Sequence, residues 1–276
     1  MEWLTITLAS VLTLLTPAGA IIDTVLAHTL RSQVQKVEQL AVRVDNTPNY
    51  QALQGKIDRV RISARGIYPL ADVRIEKIEL ETEPISLDLR RLQQKNGSLA
   101  AALRRPAAGA LHLVLTETNV NQALQSAAVK EQIQTLINNL IPSREESDST
   151  KYQLSQASFN FLNNNRVALR LELETQRPDE PAASLDLSLE VGFKLVQGRK
   201  IELIDPTATL NGRRLSSRLL KGFAEGISTQ LDLKNFEKQG IIARLLQLQI
   251  DDDKLSIAAF GSIRVLALAI KSLYLG

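Results

Sequence analysis

Apolar and polar residues alternate along much of this chain. Val60, Ile62 and Ala64 are interleaved with Arg59, Arg61, Ser63 and Arg65, and Ile78, Leu80 and Thr82 with Glu79, Glu81 and Glu83. A period of two sends one set to each face of a strand, so both segments predict antiparallel strands with one wet face. Ile85, Leu87 and Leu89 carry the pattern beyond Pro84, and Leu111, Leu113 and Leu115 repeat it. The second half uses the same grammar: Phe159 and Phe161; Val167 to Leu173; Leu185 to Phe193; Ile201 and Leu203. Asn163-Asn164-Asn165 and Pro178-Asp179-Glu180-Pro181 are turn-rich breaks. Leu246-Leu248-Ile250, Asp251 to Lys254, and Leu255-Ile257-Ala259 predict a closing hairpin.

Helical spacing appears in four places. Thr16 and Pro17 suit a helix start, and Leu26, Leu30, Val34 and Val37 continue it, predicting a helix that ends near Leu40. Thr116 or Thr118 can cap a helix carrying Val120, Leu124 and Ala127; a further helix uses Ile133, Leu136, Ile137 and Leu140 and stops at Pro142. The last begins near Ser216, with Leu220, Phe223, Ile227 and Leu231 on one face. It contains Gly222 and Gly226, each costing about 1 kcal/mol relative to Ala in a helix. Either another backbone or a ligand approaches there, or a short helix tolerates both. The expected fold is α+β, with large curved antiparallel sheets covering a few helices. Residues 16–276 form one domain, and the polar stretch near 142–151 is a mobile loop.

The amino terminus admits three readings. Trp3 to Ile22 carries no charge over 20 residues, about the length that crosses a bilayer. Within it, residues 1–15 form an apolar segment apart from the domain, and Trp3, Leu4, Ile6 and Leu8 are candidate membrane-contacting residues. Ala18-Gly19-Ala20 has the form of a signal-cleavage site, although Glu2 stands where a signal carries Lys or Arg. The alternation Leu4-Ile6-Leu8 equally suits a buried strand.

Composition narrows the function. Lys+Arg 33 against Asp+Glu 30 leaves a net charge of only +3, a poor match to a nucleic-acid phosphate backbone. One Trp, four Tyr and six Phe are too few for base-stacking platforms. There is no Cys, and the two histidines, His28 and His112, are far apart, so no metal site is expected. None of the readable nucleophile, phosphate-loop, dinucleotide or zinc-helix motifs is present. No catalytic residue and no cofactor is therefore assigned.

Several segments carry a resemblance. They are Leu30-Arg31-Ser32-Gln33-Val34-Gln35-Lys36-Val37-Glu38; Leu53-Gln54-Gly55-Lys56-Ile57 leading to Val60-Arg61-Ile62-Ser63-Ala64-Arg65-Gly66; the strand Val73 to Leu80; and Thr116-Glu117-Thr118-Asn119-Val120-Asn121-Gln122-Ala123-Leu124. Asn211-Gly212, Gly240-Ile241-Ile242-Ala243-Arg244-Leu245-Leu246 and Leu255 to Phe260 complete it, over residues 16 to 265. The chain resembles the LmeA-type phospholipid-binding family, proteins of the bacterial cell envelope whose fold is similar to the tubular lipid-binding superfamily. The resemblance implies a sheet wrapped on helices with an apolar groove for acyl chains, a phospholipid or other two-chain lipid as partner, and no catalysis. It also implies a place at a membrane or in the cell envelope, with the periplasmic side among the compartments left open.

On this basis the candidate apolar lining is Leu219, Phe223 and Ile227 with Leu30 and Val34. The candidate headgroup or membrane-surface cations are Arg59, Arg61 and Arg65, and Arg213, Arg214, Arg218 and Lys221. A charged face paired with Glu79, Glu81 and Glu83 competes for the first cluster; no acidic residue lies between Arg213 and Lys221. The expected function is non-enzymatic lipid binding, with lipid transfer as its extension. A scaffolding envelope protein with a filled core and a protein partner is the alternative, and a hydrolase built on isolated Ser and Asp residues the third class.

Overall fold

The computed structural model describes residues 31, 34–47, 51, 54–88, 90, 102–140, 151–176 and 183–263. The amino-terminal segment with Trp3, Leu4, Ile6 and Leu8, the residue Leu30, and the stretch 141–150 of the expected loop lie outside them. Two large antiparallel sheets dominate the fold. The first has six strands: β1 (Lys36–Asp45), β3 (Arg59–Leu70), β4 (Val73–Thr82), β6 (Ala107–Thr116), β12 (Ile241–Asp251) and β13 (Lys254–Ile263), in the order β1-β3-β4-β6-β13-β12. The second has five: β7 (Lys151–Leu162), β8 (Arg166–Gln176), β9 (Ser184–Val196), β10 (Lys200–Leu210) and β11 (Arg213–Arg214), in reverse order from β11 to β7. A two-residue pair, β2 (Lys56–Ile57) with β5 (Ile85–Ser86), stands apart from both, so the run after Pro84 starts a new element. Among the described residues three α-helices accompany the sheets, α1 (Glu117–Gln125), α2 (Ala127–Leu140) and α3 (Ser217–Gln230), with a 3-10 helix over Leu233–Gln239 and single helical residues beside undescribed stretches.

One expected element is corrected. Arg31 is helical, but Val34 lies in a bend and Val37 to Leu40 belong to strand β1, not to a helix. Leu40, Val42 and Val44 alternate and pack against the core beside β3. In this segment β-branched residues stiff at χ1 favour the pleated surface over a helix. Thr116 does cap α1, its hydroxyl accepting the Asn119 N–H at 3.2 Å.

Register assembles the alternating residues into rows. On one face of the six-stranded sheet, Val42, Ile62, Leu80, Leu111, Ala259 and Leu245 are successive cross-strand partners. Ala64, Ile78, Leu113 and Ile257 form the next row. At the β1/β3 end this face closes into a core of Ile57, Val60, Ile62, Ile85, Leu87 and Leu103. Toward β6 and β13 it opens, and Leu111, Leu113, Ile257 and Ala259 are only half-buried.

The five-stranded sheet is closed differently. Leu124 and Ile137, from α1 and α2, are buried on Leu154, Ala157, Leu171 and Leu173. The same helices finish the sheet's β7 edge with side chains. Asn121 donates to the Phe159 carbonyl at 2.7 Å and accepts the Phe159 N–H at 2.8 Å. One turn either side, Gln125 donates to Ala157 O and Glu117 accepts the Phe161 N–H. Gln134 makes the equivalent pair with Tyr152 O and Leu154 N–H. Carboxamides four residues apart on a helix thus replace the missing strand of an edge that would otherwise template aggregation. At the β10 edge, α3 packs alongside and the Ser228 hydroxyl accepts the Leu203 N–H at 2.9 Å.

The sheets join where hairpin turns of the second meet edge strand β12 of the first. The Asn165 side chain accepts the Ile250 N–H, and the Gly198 carbonyl accepts the Leu245 N–H, both at 2.7 Å. Gly198 has φ +63°, and a Cβ there would stand 3.0 Å from the Leu245 carbonyl, so only glycine fits both turn and junction.

Candidate functional site

The open part of the six-stranded sheet holds a row with almost no side chain. Thr82, Gly109, Gly261 and Ala243 are cross-strand partners on four adjacent strands. Large residues flank the row, with Leu80 and Leu111 on one side and Ile263 and Ile241 on the other. A pocket of about 140 Å³ lies over this floor. Its lining is apolar apart from Thr82 and Ser262, and the Thr82 hydroxyl is already engaged by the Val60 N–H at 3.0 Å. The two glycines differ. At Gly109 a Cβ would come within 2.8 Å of the Glu81 carbonyl, whereas at Gly261 it would make an ordinary 3.5 Å contact. Gly109 is therefore required by the neighbouring backbone, and Gly261 simply leaves room.

The opposite face of the same sheet is ionic. Arg59 meets Glu81 at 3.2 Å, and Arg61 meets Asp45 at 3.3 Å and Glu81 at 3.7 Å. Two of the three cations in the strand cluster are thus paired by neighbours on β1 and β4; Arg65 has no ion pair among the described residues. The Asp45 carboxyl is held below its ordinary range by the hydrogen bond from Arg43 and the charges of Arg43, Arg61 and Arg59, against a desolvation that opposes the shift. Glu79 is lowered chiefly by its hydrogen bond to Lys77 and next by that to His112.

Glu79, His112 and Ser256 lie in sequence across three strands: Glu79 Oε2 is 3.1 Å from His112 Nδ1, and Ser256 Oγ is 3.0 Å from His112 Nε2. That is the connectivity of a nucleophile, base and orienting carboxylate. Acyl transfer also needs donors aimed at a developing oxyanion. Ser256 sits on β13 between two paired strands, opposite Val114 and Gln249, so the sheet ladder already uses the backbone around it. The three side chains form a hydrogen-bonded row across the polar face of the sheet.

The residues expected on α3 are divided by the packing. Leu220, Ala224 and Ser228 are buried, Ile227 is half-buried, and Leu219 and Phe223 face outward with 72% and 40% exposure. Phe223 is therefore not on the buried face with Leu220. Ala224 and Ser228 take the packed positions because small residues let the helix lie close to β10. A Cβ built at Gly222 or Gly226 meets nothing within 4 Å, so neither glycine marks a close approach within the described fold. Arg213, Arg214, Arg218 and Lys221 are all exposed and have no ion pair among the described residues. Val34 is half-buried in its bend. Sequence reasoning missed the glycine-floored row, because its members come from two segments, 82–109 and 243–261, far apart along the chain.

No group of residues suited to a metal ion occurs among the described residues, and no described helix is long and apolar enough to cross a membrane. The family model for LmeA-like phospholipid-binding proteins matches residues 13–260. No curated protein and no solved structure matches the chain.

Proposed function

The chain belongs to the LmeA-like phospholipid-binding family, and on that premise we propose that it holds a phospholipid by laying acyl chain across the open apolar face of the six-stranded sheet, over the row Thr82–Gly109–Gly261–Ala243. The observation that carries this reading is the apolar pocket above that row. Sites that bury a drug-sized ligand run to about 300–1,000 Å³. The pocket, at about 140 Å³, takes a portion of one chain, and the half-buried rows beside it offer the continuation. Each methylene moved between bilayer and protein is worth about 0.8 kcal/mol in either place. The face therefore has to match a bilayer rather than surpass it, which suits reversible carriage. Lipid transfer at a membrane or in the envelope is the extension of this reading. A non-enzymatic role agrees with a family described by binding alone.

Mass spectrometry of organic extracts from purified protein tests it. Wild-type protein is expected to carry phospholipid and Gly261→Leu to lose most of it, because the new side chain fills the pocket from a position where a Cβ is tolerated. Ala258→Leu, on the ionic face of the same strand opposite His112, is expected to keep its load. Extracts repeatedly free of lipid from the wild type, or equal loads in both variants, would reject the site; the first result favours a scaffolding protein with a filled core.

A further inference from the structure

We propose that α3, with the β11 arginines that precede it, is a docking face for an anionic membrane surface, separate from the site that holds the acyl chain. The inference rests on the lipid-binding reading for its biological setting but on different residues for its argument. Leu219 and Phe223, one turn apart, are two of the three large apolar residues that stand exposed in the described structure. Around them Arg213, Arg214, Arg218 and Lys221 are exposed and without ion pairs among the described residues, and Glu225 is the one acidic residue of α3.

The cations elsewhere show how unusual this is. Arg43, Arg59, Arg61, Arg74, Arg166 and Arg170 each sit beside a carboxylate. Most sheet arginines are thus paired within the fold, Arg65 and Arg244 excepted, whereas α3 and β11 gather in one place four exposed cations without ion pairs among the described residues, left for a partner of opposite charge. Exposed apolar side chains among unpaired cations are the composition of helices that lie in the headgroup layer. Gly222 and Gly226 add a side of the helix with no side chain at all and nothing within 4 Å, where lipid headgroups can approach the backbone. A soluble helix gains nothing from two such residues. The partner is a membrane, because four cations beside apolar tips match a surface that is anionic outside and apolar a few ångströms within. An acidic protein would need the charges alone.

The test uses the full chain and vesicles of phosphatidylcholine, with and without a phosphatidylglycerol fraction. The wild type is expected to co-sediment preferentially with the anionic vesicles and to be released by salt. Arg213→Ala, Arg214→Ala, Arg218→Ala and Lys221→Ala combined are expected to weaken that binding about 600-fold, from roughly fivefold per cation, with the extracted lipid load unchanged. The chain has no cysteine, so Phe223→Cys accepts a single environment-sensitive fluorophore. It is expected to shift to the blue on anionic vesicles, and the same label at Ser63→Cys on the ionic sheet face is not. Equal binding to both vesicle types, undiminished binding of the quadruple variant, or an unshifted label at position 223 overturns the docking face. So does a lipid load that falls in step with vesicle binding, since the residues would then belong to the carrying site. None of these outcomes touches the Gly261→Leu result, so the two readings fail separately.

Discussion

The two sheets share one alternating pattern and finish in different states. In the five-stranded sheet, Leu154, Ala157, Phe161, Val167, Leu171 and Leu173 are buried; α1 and α2 close the face, and carboxamides finish the β7 edge. In the six-stranded sheet the apolar face is closed at the β1/β3 end and where Ile250 and Leu255 pack on Phe161, Val167 and Val191 of the second sheet, and between them rows through β4, β6 and β13 remain half-buried around a pocket. Alternation decides which face is apolar and leaves open what covers it. Cover comes from helices: α1 and α2 lie over β7 and β8, and α1 also packs against β4 of the first sheet. The middle rows of the first sheet are left without such a cover, and on the proposed reading an acyl chain takes its place.

The largest expected effect comes from removing the closure of the second sheet. Asn121→Leu keeps the side chain's bulk but strips both hydrogen bonds from Phe159, leaving a backbone N–H and C=O unpaired in a partly buried edge. Each such group costs roughly 1–3 kcal/mol, and about 2–3 kcal/mol in total is expected, seen as a lower midpoint in urea. The lipid load per folded molecule should not change. If Asn121→Leu melts like the wild type, the amide ladder is decoration and the helices hold this sheet by apolar packing alone.

A smaller loss is expected at the junction between the sheets. Gly198→Ala places a Cβ in a left-handed conformation, at a cost of about 1–2 kcal/mol, and 3.0 Å from the Leu245 carbonyl. The hydrogen bond from Leu245 N–H to Gly198 O should stretch, loosening β12 at the margin of the open face. Hydrogen exchange is expected to quicken at Leu245 more than within β7 and β8. Uniform loss across both sheets would mean that they unfold as one unit and the junction is no weak point.

The strands of both sheets were legible because period two survives any tertiary context. Their mutual register was not: Thr82, Gly109, Ala243 and Gly261 become neighbours only once β6 is known to lie between β4 and β13. β1 was misread because Leu30, Val34 and Val37 happen to follow helical spacing, while the competing alternation Leu40-Val42-Val44 begins just beyond. On α3 the apolar residues indicated a face centred near Phe223, and packing chose Leu220, Ala224 and Ser228 instead. Small residues carry little weight in an apolar pattern, yet they set how closely a helix can approach. The β7 edge ladder was visible as Glu117, Asn121 and Gln125 at intervals of four, but nothing in the sequence says that an unpaired strand runs beside them. The α3 cations were legible as a cluster; that Arg59 and Arg61 of β3 are paired required the positions of Asp45 and Glu81.

The smallest expected effect separates the sheets by acidity. Glu38, Asp45 and Glu79, all on the six-stranded sheet, have carboxyl pKa values lowered by hydrogen bonds, led by Arg74, Arg43 and Lys77 respectively. On the five-stranded sheet Asp186 is lowered by Arg170. A carboxyl with a depressed folded-state pKa adds stability that is present in full above its unfolded value and lost as pH falls through the folded one. These groups are largely exposed, so solvent screening keeps each contribution small. The difference between sheets should nevertheless have a sign. Between pH about 6 and about 3, a range spanning the usual carboxylate values, amide protection, corrected for intrinsic exchange, should fall further in β1, β3 and β4 than in β7, β8 and β9. Added salt should narrow the gap, because it weakens exposed pairs at neutral pH before acid removes them. Equal losses, or a larger loss in the five-stranded sheet, would show that acid acts through a group other than these three carboxylates, and that the ionic face contributes nothing measurable to the stability of the six-stranded sheet.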